Sequence, residues 1–155
     1  MRRDMSAEAV FRRILVAFDG SKDSQKAIGL ACSLALKFGS EVTIVHVFSS
    51  PSVGYSATSG MPIPDYKALE DAKKAAAKEV LSKGLQLAAQ EMVDAKGELI
   101  EAPSVVEALV EFAEEKKADL IVAGTRGMTG FRKLILGSVS TGLVNHAHCQ
   151  VLIAR

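Results

Sequence analysis

Glycine and hydroxyl residues between positions 124 and 140 have the spacing of a phosphate-binding segment. Gly124, Gly127, Gly137 and Ser138 form the pattern G-x2-G-x9-G-[ST], and Gly130 lies between them. Glycines let backbone N–H groups turn toward an anion without a Cβ clash, and a following helix start adds free donors and a positive dipole. We expect Ser138 to cap that helix and to offer its hydroxyl to a phosphate oxygen. The pattern therefore predicts a nucleotide polyphosphate as the ligand.

The alternative interpretation of these glycines is an ordinary turn between a strand and a helix. Such turns usually span about 2 to 6 residues, whereas a much longer stretch separates Gly124 from Gly137. The length favours phosphate binding. Arg126, inside the stretch, offers a cation for phosphate oxygens. Arg132 and Lys133 are explained equally well as solvent-exposed residues.

Five strands and the helices between them must position this segment. Apolar or alternating stretches of strand length occupy residues 14–18, 41–48, 95–102, 120–123 and 151–154. Helical patterns begin at Ser21, Asp65, Ser104 and Ser138. Ser104 and Glu107 form a predicted capping box, and Gly39 a predicted helix end.

The second helix is expected to run from Asp65 to about Met92 and is rich in alanine. Its lysine and glutamate side chains indicate a solvated outer face. One predicted apolar face contains Leu69, Ala72, Ala76, Val80, Gly84 and Leu87.

The alternation of strands and helices predicts one doubly wound α/β domain with a five-stranded parallel sheet and helices on both faces. We expect residues 1–12 to be a flexible extension and residues 13–155 to be the domain. Ligands of such sheets bind at the carboxyl edge, where the strand order reverses. If strands one and four are neighbours, Asp19 faces Gly124 across one crevice. Its carboxylate would suit ribose hydroxyls or a bridging cation.

Composition narrows the class of protein further. The chain has 155 residues, 48% of them hydrophobic, and a formal net charge of +1. That length supports one sizeable core, and the charge gives no case for nucleic acid or anionic membranes. Cys32 and Cys149 lack metal or redox spacing and are expected to be buried free thiols. No apolar run spans a membrane and no secretory signal is recognisable, so we expect a cytoplasmic protein.

Other nucleotide chemistries fit less well. No Walker P-loop is present, and no G-x-G-x-x-G follows the first strand. Residues 19–24, D-G-S-K-D-S, resemble a degraded S-G-G-x-D-S loop of ATP pyrophosphatases, but the Asp19 carboxylate would repel pyrophosphate. His46, His146 and His148 are expected to be structural, the last two complementing a helix dipole.

Four segments resemble the universal stress protein family in its ATP-binding branch. They are I-L-V-A-F-D-G-S, V-T-I-V-H-V, A-D-L-I-V-A-G-T-R-G, and G-S-V-S with the terminal V-L-I-A-R. The resemblance spans residues 13–155 and implies strand order 3-2-1-4-5, bound ATP with Mg²⁺, and a homodimer formed through residues 151–154. It implies that Asp19 and Val47, with Ala17 nearby, lie at the adenine–ribose end. The metal ligands stay open, with Asp19 the candidate through bound Mg-ATP. It implies a polyphosphate lining of Gly124, Arg126, Gly127, Gly130, Gly137, Ser138, Val139 and Ser140.

Two features depart from the family pattern. Gln150 replaces the usual proline before the last strand, and residues 49–64 form an unusual Ser-, Pro- and Gly-rich stretch that is a flap, an assembly element or a disordered excursion. The chain as a whole predicts a nucleotide-dependent stress-response or signalling module. A slow ATPase, an enzyme autophosphorylating Ser138 or Ser140, and an interaction protein with a vestigial pocket remain alternatives. No general base is evident, so a dedicated enzyme is not expected.

Overall fold

The computed structural model describes residues 10–49, 65–126 and 136–155. The elements are β1 (Arg13–Ala17), α1 (Lys22–Phe38), β2 (Glu41–Phe48), α2 (Tyr66–Gln90), β3 (Lys96–Glu101), α3 (Val105–Glu115), β4 (Leu120–Gly124), α4 (Ser138–His146) and β5 (Gln150–Ala154). The strands form one parallel sheet in the order β3-β2-β1-β4-β5. The predicted fold class and strand order are confirmed. Strand ends differ from the predicted ones by one residue in several places.

Helices cover both faces of the sheet because successive strand side chains point to opposite sides. Ile14 and Val16 of β1 pack in one buried cluster with α1, whereas Leu15 packs on the other side with Leu109 of α3 and Leu143 of α4. β1 and β4 contribute buried residues to both clusters. This double burial explains why both strands read as continuous apolar runs.

Helix ends follow the predicted caps in three places. The Ser21 hydroxyl accepts the Ser24 N–H at 3.2 Å, and the Ser104 hydroxyl accepts the Glu107 N–H at 3.4 Å. Gly39 ends α1 in the left-handed region with φ of 69°, where a side chain would be strained. Asp65 precedes α2 but its side chain makes no capping hydrogen bond, and its own φ is 55°. The predicted cap at Asp65 is therefore wrong.

The buried face of α2 also differs from the predicted one. Leu69 is 40% exposed, and Ala72 and Ala76 are exposed. Burial begins at Ala77 and continues through Gly84 and Ala88. A Cβ on Gly84 would lie 2.8 Å from the Phe18 ring and 3.2 Å from Ile44, so this glycine lets α2 approach the sheet closely.

The chain joins the domain before β1 begins. The rings of Phe11 and Phe38 make an edge contact with centroids 6.1 Å apart. One carboxylate oxygen of Asp119 accepts the N–H groups of Arg12 and Arg13, both at 2.8 Å. Residues 1–9 and 50–64 lie outside the described part, so the division at residue 12 and the role of the Ser-, Pro- and Gly-rich stretch stay predictions. No helix in the described ranges is long and apolar enough to cross a membrane.

Candidate functional site

The turn after β1 is short and held by its own polar side chains. The Asp19 carboxylate accepts the Ser21 N–H at 2.9 Å, and Gly20 has a φ of 85°. Ser21 is buried and caps α1, while the Ser24 hydroxyl donates to the Ser21 carbonyl at 2.9 Å. This turn therefore presents Asp19 at the carboxyl edge of the sheet in a defined backbone conformation.

The end of β4 packs directly against this turn. A Cβ on Gly124 would lie 2.6 Å from the Asp23 carbonyl carbon and 2.8 Å from the Ser24 nitrogen. The Arg126 Nε lies 3.7 Å from an Asp23 carboxylate oxygen. Because β1 and β4 are paired neighbours, the turn and the start of the glycine-rich segment face each other. The condition of the prediction, that strands one and four are neighbours, is met, whereas the crevice between Asp19 and Gly124 stays a prediction.

Thr125 joins three parts of the site, and the sequence analysis did not identify it. Its N–H and its hydroxyl both donate to the Ala154 carbonyl, at 3.0 and 2.8 Å. Its own carbonyl accepts the Gly137 N–H at 2.7 Å and the Ser140 hydroxyl at 3.0 Å. Thr125 is buried at 5% exposure. One residue thus connects β4, the end of β5 and the start of α4.

The first turn of α4 lies beside the end of β4. Gly137, not Ser138, is the N-cap residue, and within the described ranges the cap makes no side-chain hydrogen bond. The predicted Ser138 cap is wrong because Ser138 already belongs to the helix. Ser140 is buried, and its hydroxyl donates to the Gly124 carbonyl at 2.7 Å. The first backbone N–H groups of an α-helix have no partner inside the helix, which is why helix N-termini can bind anions.

Apolar side chains lie on the same side of the sheet as α4. Ala17 and Val47, at the carboxyl ends of β1 and β2, pack with Val139 against the cluster that includes Leu143. They form a half-buried apolar surface beside Asp19, suited in character to a flat heterocycle. His46 is held by a ring nitrogen 2.8 Å from the Phe18 carbonyl, which agrees with its expected structural role.

Two of the predicted phosphate-lining residues are not described in the structure, and a third pairs with a carboxylate. Gly127 and Gly130 lie outside the described residues. Arg126 is described, and its side chain is 42% exposed while paired with Asp23. The structure thus brings together Ala17, Asp19, Val47, Gly124, Arg126, Gly137, Ser138, Val139 and Ser140 at one edge of the sheet.

An open groove lies elsewhere on the molecule. It has a volume of about 410 Å³ and lies between the end of β3 and α3, and Ile100 and Phe112 are among its lining residues. Four carboxylates also line it, those of Glu101, Glu107, Glu111 and Glu115. Such a concentration of carboxylates repels phosphate, so this groove does not compete with the carboxyl edge as a nucleotide site.

Comparison with known proteins decides the family. The family model described as universal stress protein family matches residues 11–155. The chain belongs to the universal stress protein family. A universal stress protein of Methanocaldococcus jannaschii is 35% identical over 97% of this chain and 85% of its own. UspA of Lactobacillus plantarum has the same fold, with a TM-score of 0.77 and 26% identity over 93% of this chain and 97% of its own.

Several solved universal stress proteins of the same fold are nucleotide complexes. One from Archaeoglobus fulgidus is bound to dAMP, with 23% identity, a TM-score of 0.64 and coverage of 94% of this chain and 99% of its own. Another is in complex with cAMP, at 23% identity, TM-score 0.67 and coverage of 94% and 97%. An Arabidopsis thaliana family member is bound to AMP, at 15% identity, TM-score 0.61 and coverage of 92% and 90%. At these identities the likeness establishes the fold.

Proposed function

We propose that this universal stress protein binds an adenine nucleotide, ATP with Mg²⁺ in the first place, at the carboxyl edge between β1 and β4. One observation carries the proposal. Hydrogen bonds from the Gly137 N–H to the Thr125 carbonyl and from the Ser140 hydroxyl to the Gly124 carbonyl hold the N-terminus of α4 against the end of β4, and the neighbouring strand β1 leads into the turn that carries Asp19. The dAMP, cAMP and AMP complexes of family members support the choice of an adenine nucleotide.

The proposed roles follow from the character of the two ends of the crevice. Ala17 and Val47 supply apolar contact for the base, and Asp19 accepts hydrogen bonds from ribose hydroxyls. Backbone N–H groups and the helix dipole receive the phosphates. The proposed polyphosphate lining is Gly124, Arg126, Gly127, Gly130, Gly137, Ser138, Val139 and Ser140. For Ser140 the contribution is its backbone N–H, since its hydroxyl proton is directed to the Gly124 carbonyl.

Magnesium would arrive with the phosphates. In the described ranges, no group of three or more His, Cys, Asp or Glu side chains could hold a metal ion alone. Mg²⁺ is commonly bound through one or two carboxylates together with substrate phosphates. Asp19 is the carboxylate proposed for that role, in addition to its proposed hydrogen bonds with the ribose hydroxyls.

We propose a signalling or stress-response module whose nucleotide occupancy biases a protein surface. β5 is that surface in our proposal, because among the described strands it pairs only with β4, and an apolar strand edge favours pairing with a second copy. Gln150 donates its N–H to the Asp119 carbonyl at 3.3 Å, a bond that the proline usual at this position cannot make. The cytoplasmic location stays a prediction.

A slow phosphoryl transfer to Ser138 is the second candidate function. Ser138 is exposed in the first turn of α4, whereas Ser140 is buried and engaged. If the γ-phosphoryl group of bound ATP is transferred to the protein, with ADP as the leaving group and the hydroxyl proton released to solvent, Ser138 is therefore the acceptor we propose. Mass spectrometry after incubation with Mg-ATP locates any phosphoryl group.

The binding proposal is tested with a charge placed at the α4 N-terminus. Ser138→Asp puts a carboxylate in the first helical turn, which favours helix stability through the dipole but repels a phosphate. We expect Mg-ATP affinity in calorimetric titration to fall at least about tenfold, with unchanged or slightly raised thermal stability. Ser138→Asn is the matched neutral control and keeps affinity within about threefold.

A parallel measurement identifies the natural ligand. Denaturing freshly purified protein and analysing the supernatant by chromatography and mass spectrometry shows which nucleotide, if any, is carried. Near-stoichiometric release of ATP supports the proposal. Release of ADP or AMP instead indicates that bound ATP is hydrolysed or that another nucleotide is the natural ligand. If the wild type binds none of the adenine nucleotides in titration, the proposed function is wrong.

A further inference from the structure

We infer that Asp23 sets the charge selectivity of the nucleotide site by holding Arg126 and competing with phosphate for it. This inference rests on the proposed nucleotide-binding function and concerns a residue outside its contact set. Asp23 belongs to the first turn of α1, and Arg126 follows β4, so the pair spans the crevice between the two elements that face each other.

The backbone on both sides fixes this pair. Gly124 packs against the Asp23 main chain with no room for a Cβ. The Ser21 hydroxyl lies 3.5 Å from the Arg126 carbonyl. With both main chains anchored, the Arg126 guanidinium stays within reach of the Asp23 carboxylate, at 3.7 Å.

Burial makes the two partners unequal. The Asp23 side chain is 15% exposed, whereas the Arg126 side chain is 42% exposed. The carboxylate is therefore the fixed partner, and the guanidinium is the one with solvent access through which it can turn toward a ligand. Lys26 also approaches Asp23, at 3.6 Å, but its side chain is 58% exposed and lies one helical turn along α1.

A carboxylate at this position opposes an anionic ligand in two ways. It neutralises Arg126, with which it pairs at 3.7 Å, and it adds direct repulsion. Both effects grow with the charge of the ligand. Asp23 therefore disfavours binding of free ATP more than that of ADP, and of ADP more than that of AMP. As a result, the site prefers nucleotides of lower charge or nucleotides whose charge is reduced by a bound cation.

The test compares AMP, ADP and ATP affinity, without divalent cation and at low salt, for wild type and Asp23→Asn. For charges about 10 Å apart in water, Coulomb's law gives about a twofold change per unit of ligand charge. Direct repulsion alone then gives about fourfold tighter binding of AMP and about fifteenfold tighter binding of ATP by Asp23→Asn, and we expect the release of Arg126 to add to both gains. The gain should shrink in 0.5 M salt because the Debye length is then only about 4 Å.

Two controls separate this role from a structural one. Asp94→Asn makes the same chemical change between α2 and β3, at the amino edge of the sheet, and should leave all three affinities unchanged. In an Arg126→Gln background the gain from Asp23→Asn should fall toward the direct Coulomb contribution and still rise with phosphate number, since only the released cation is gone. Local damage to the site would weaken binding of every nucleotide and could not produce a gain that rises with phosphate number.

Three results overturn the inference. One is an equal or lower affinity of Asp23→Asn for ATP, and another is the same gain for AMP as for ATP. The third is the full gain retained in the Arg126→Gln background, which would remove the pairing from the explanation. If wild type and variants all fail to bind AMP, ADP and Mg-ATP, the proposed function itself fails, and the inference with it.

Discussion

Replacing Gly124 by alanine tests whether the close approach between β4 and α1 builds the site. The new Cβ would lie 2.6 Å from the Asp23 carbonyl carbon and 2.8 Å from both the Asp23 Cβ and the Ser24 nitrogen. Optimal contacts between carbon atoms begin at about 3.5 Å, so the shortfall is about 0.9 Å. Two of these three atoms belong to the main chain, and no rotamer change can move them away.

We expect this substitution to lower the free energy of unfolding by an amount at the upper end of the range for overpacked sites. Extra methyl groups in well-packed regions typically cost about 1 to 3 kcal/mol. Since the helix start itself must shift, we expect a loss of about 3 kcal/mol in the free energy of unfolding. For a chain of this size that corresponds to a fall of about 6 to 12 °C in Tm. Nucleotide affinity should fall as well, because the shift separates the turn at Asp19 from the glycine-rich segment.

Urea denaturation followed by circular dichroism measures the change. Gly29→Ala is the matched control, because a Cβ on Gly29 of α1 meets nothing within 4 Å. Alanine is favoured over glycine in a helix interior by about 1 kcal/mol, so that variant should gain stability. If Gly124→Ala unfolds within about 0.5 kcal/mol of the wild type, the close approach does not constrain the fold and our reasoning about this residue is refuted.

Two further predictions concern buried groups. Thr125→Val removes the hydroxyl that donates to the Ala154 carbonyl at 2.8 Å and should lower the free energy of unfolding by about 1 kcal/mol. Thr125→Ser keeps a hydroxyl and should retain most of that stability in urea denaturation. Equal losses in the two variants would contradict the role of the hydroxyl. Burial first, and Glu91 second, raise the pKa of the Cys32 thiol from 9.0 to about 11. Because the folded state holds this proton more tightly, the associated stability is present below pH 9 and is lost as the pH rises toward 11, by at most about 2.7 kcal/mol. Denaturation at pH 8 and pH 10.5 should show this loss for wild type and not for Cys32→Ala; parallel curves would contradict it.

The sequence predicted the sheet because its signals are strong and local. The β1 and β4 stretches are apolar on both faces, and the caps at Ser21 and Ser104 stand next to clear helical periods. The same segments carry the resemblance to the family, and that resemblance implied the strand order. Alanine gave a weaker signal in α2. Its small side chain distinguishes poorly between faces, so the predicted positions Ala72 and Ala76 are exposed while Ala77 and Ala88 are buried.

The position of Asp19 at the carboxyl edge was predictable from the sequence, but the contacts that support this edge were not. The anion that the glycine spacing indicated stays a prediction. Thr125 escaped notice because a threonine after an apolar strand has no distinguishing pattern, and its partner Ala154 is 29 residues away. Asp23 escaped for the same reason, since its pairing with Arg126 exists only once β1 and β4 lie side by side. Long-range contacts made through backbone groups leave no periodicity to detect.

Hydrogen bonds to the end of β4 hold the N-terminus of α4 in place. The hydrogen bond between the Thr125 carbonyl and the Gly137 N–H brings together residues on either side of the stretch 126–136. The Ser140 hydroxyl makes a second link to the end of β4, and Thr125 is itself held by β5 through Ala154. Changes at Thr125 or Ser140 should move the helix dipole relative to the crevice and affect every phosphate-bearing ligand alike.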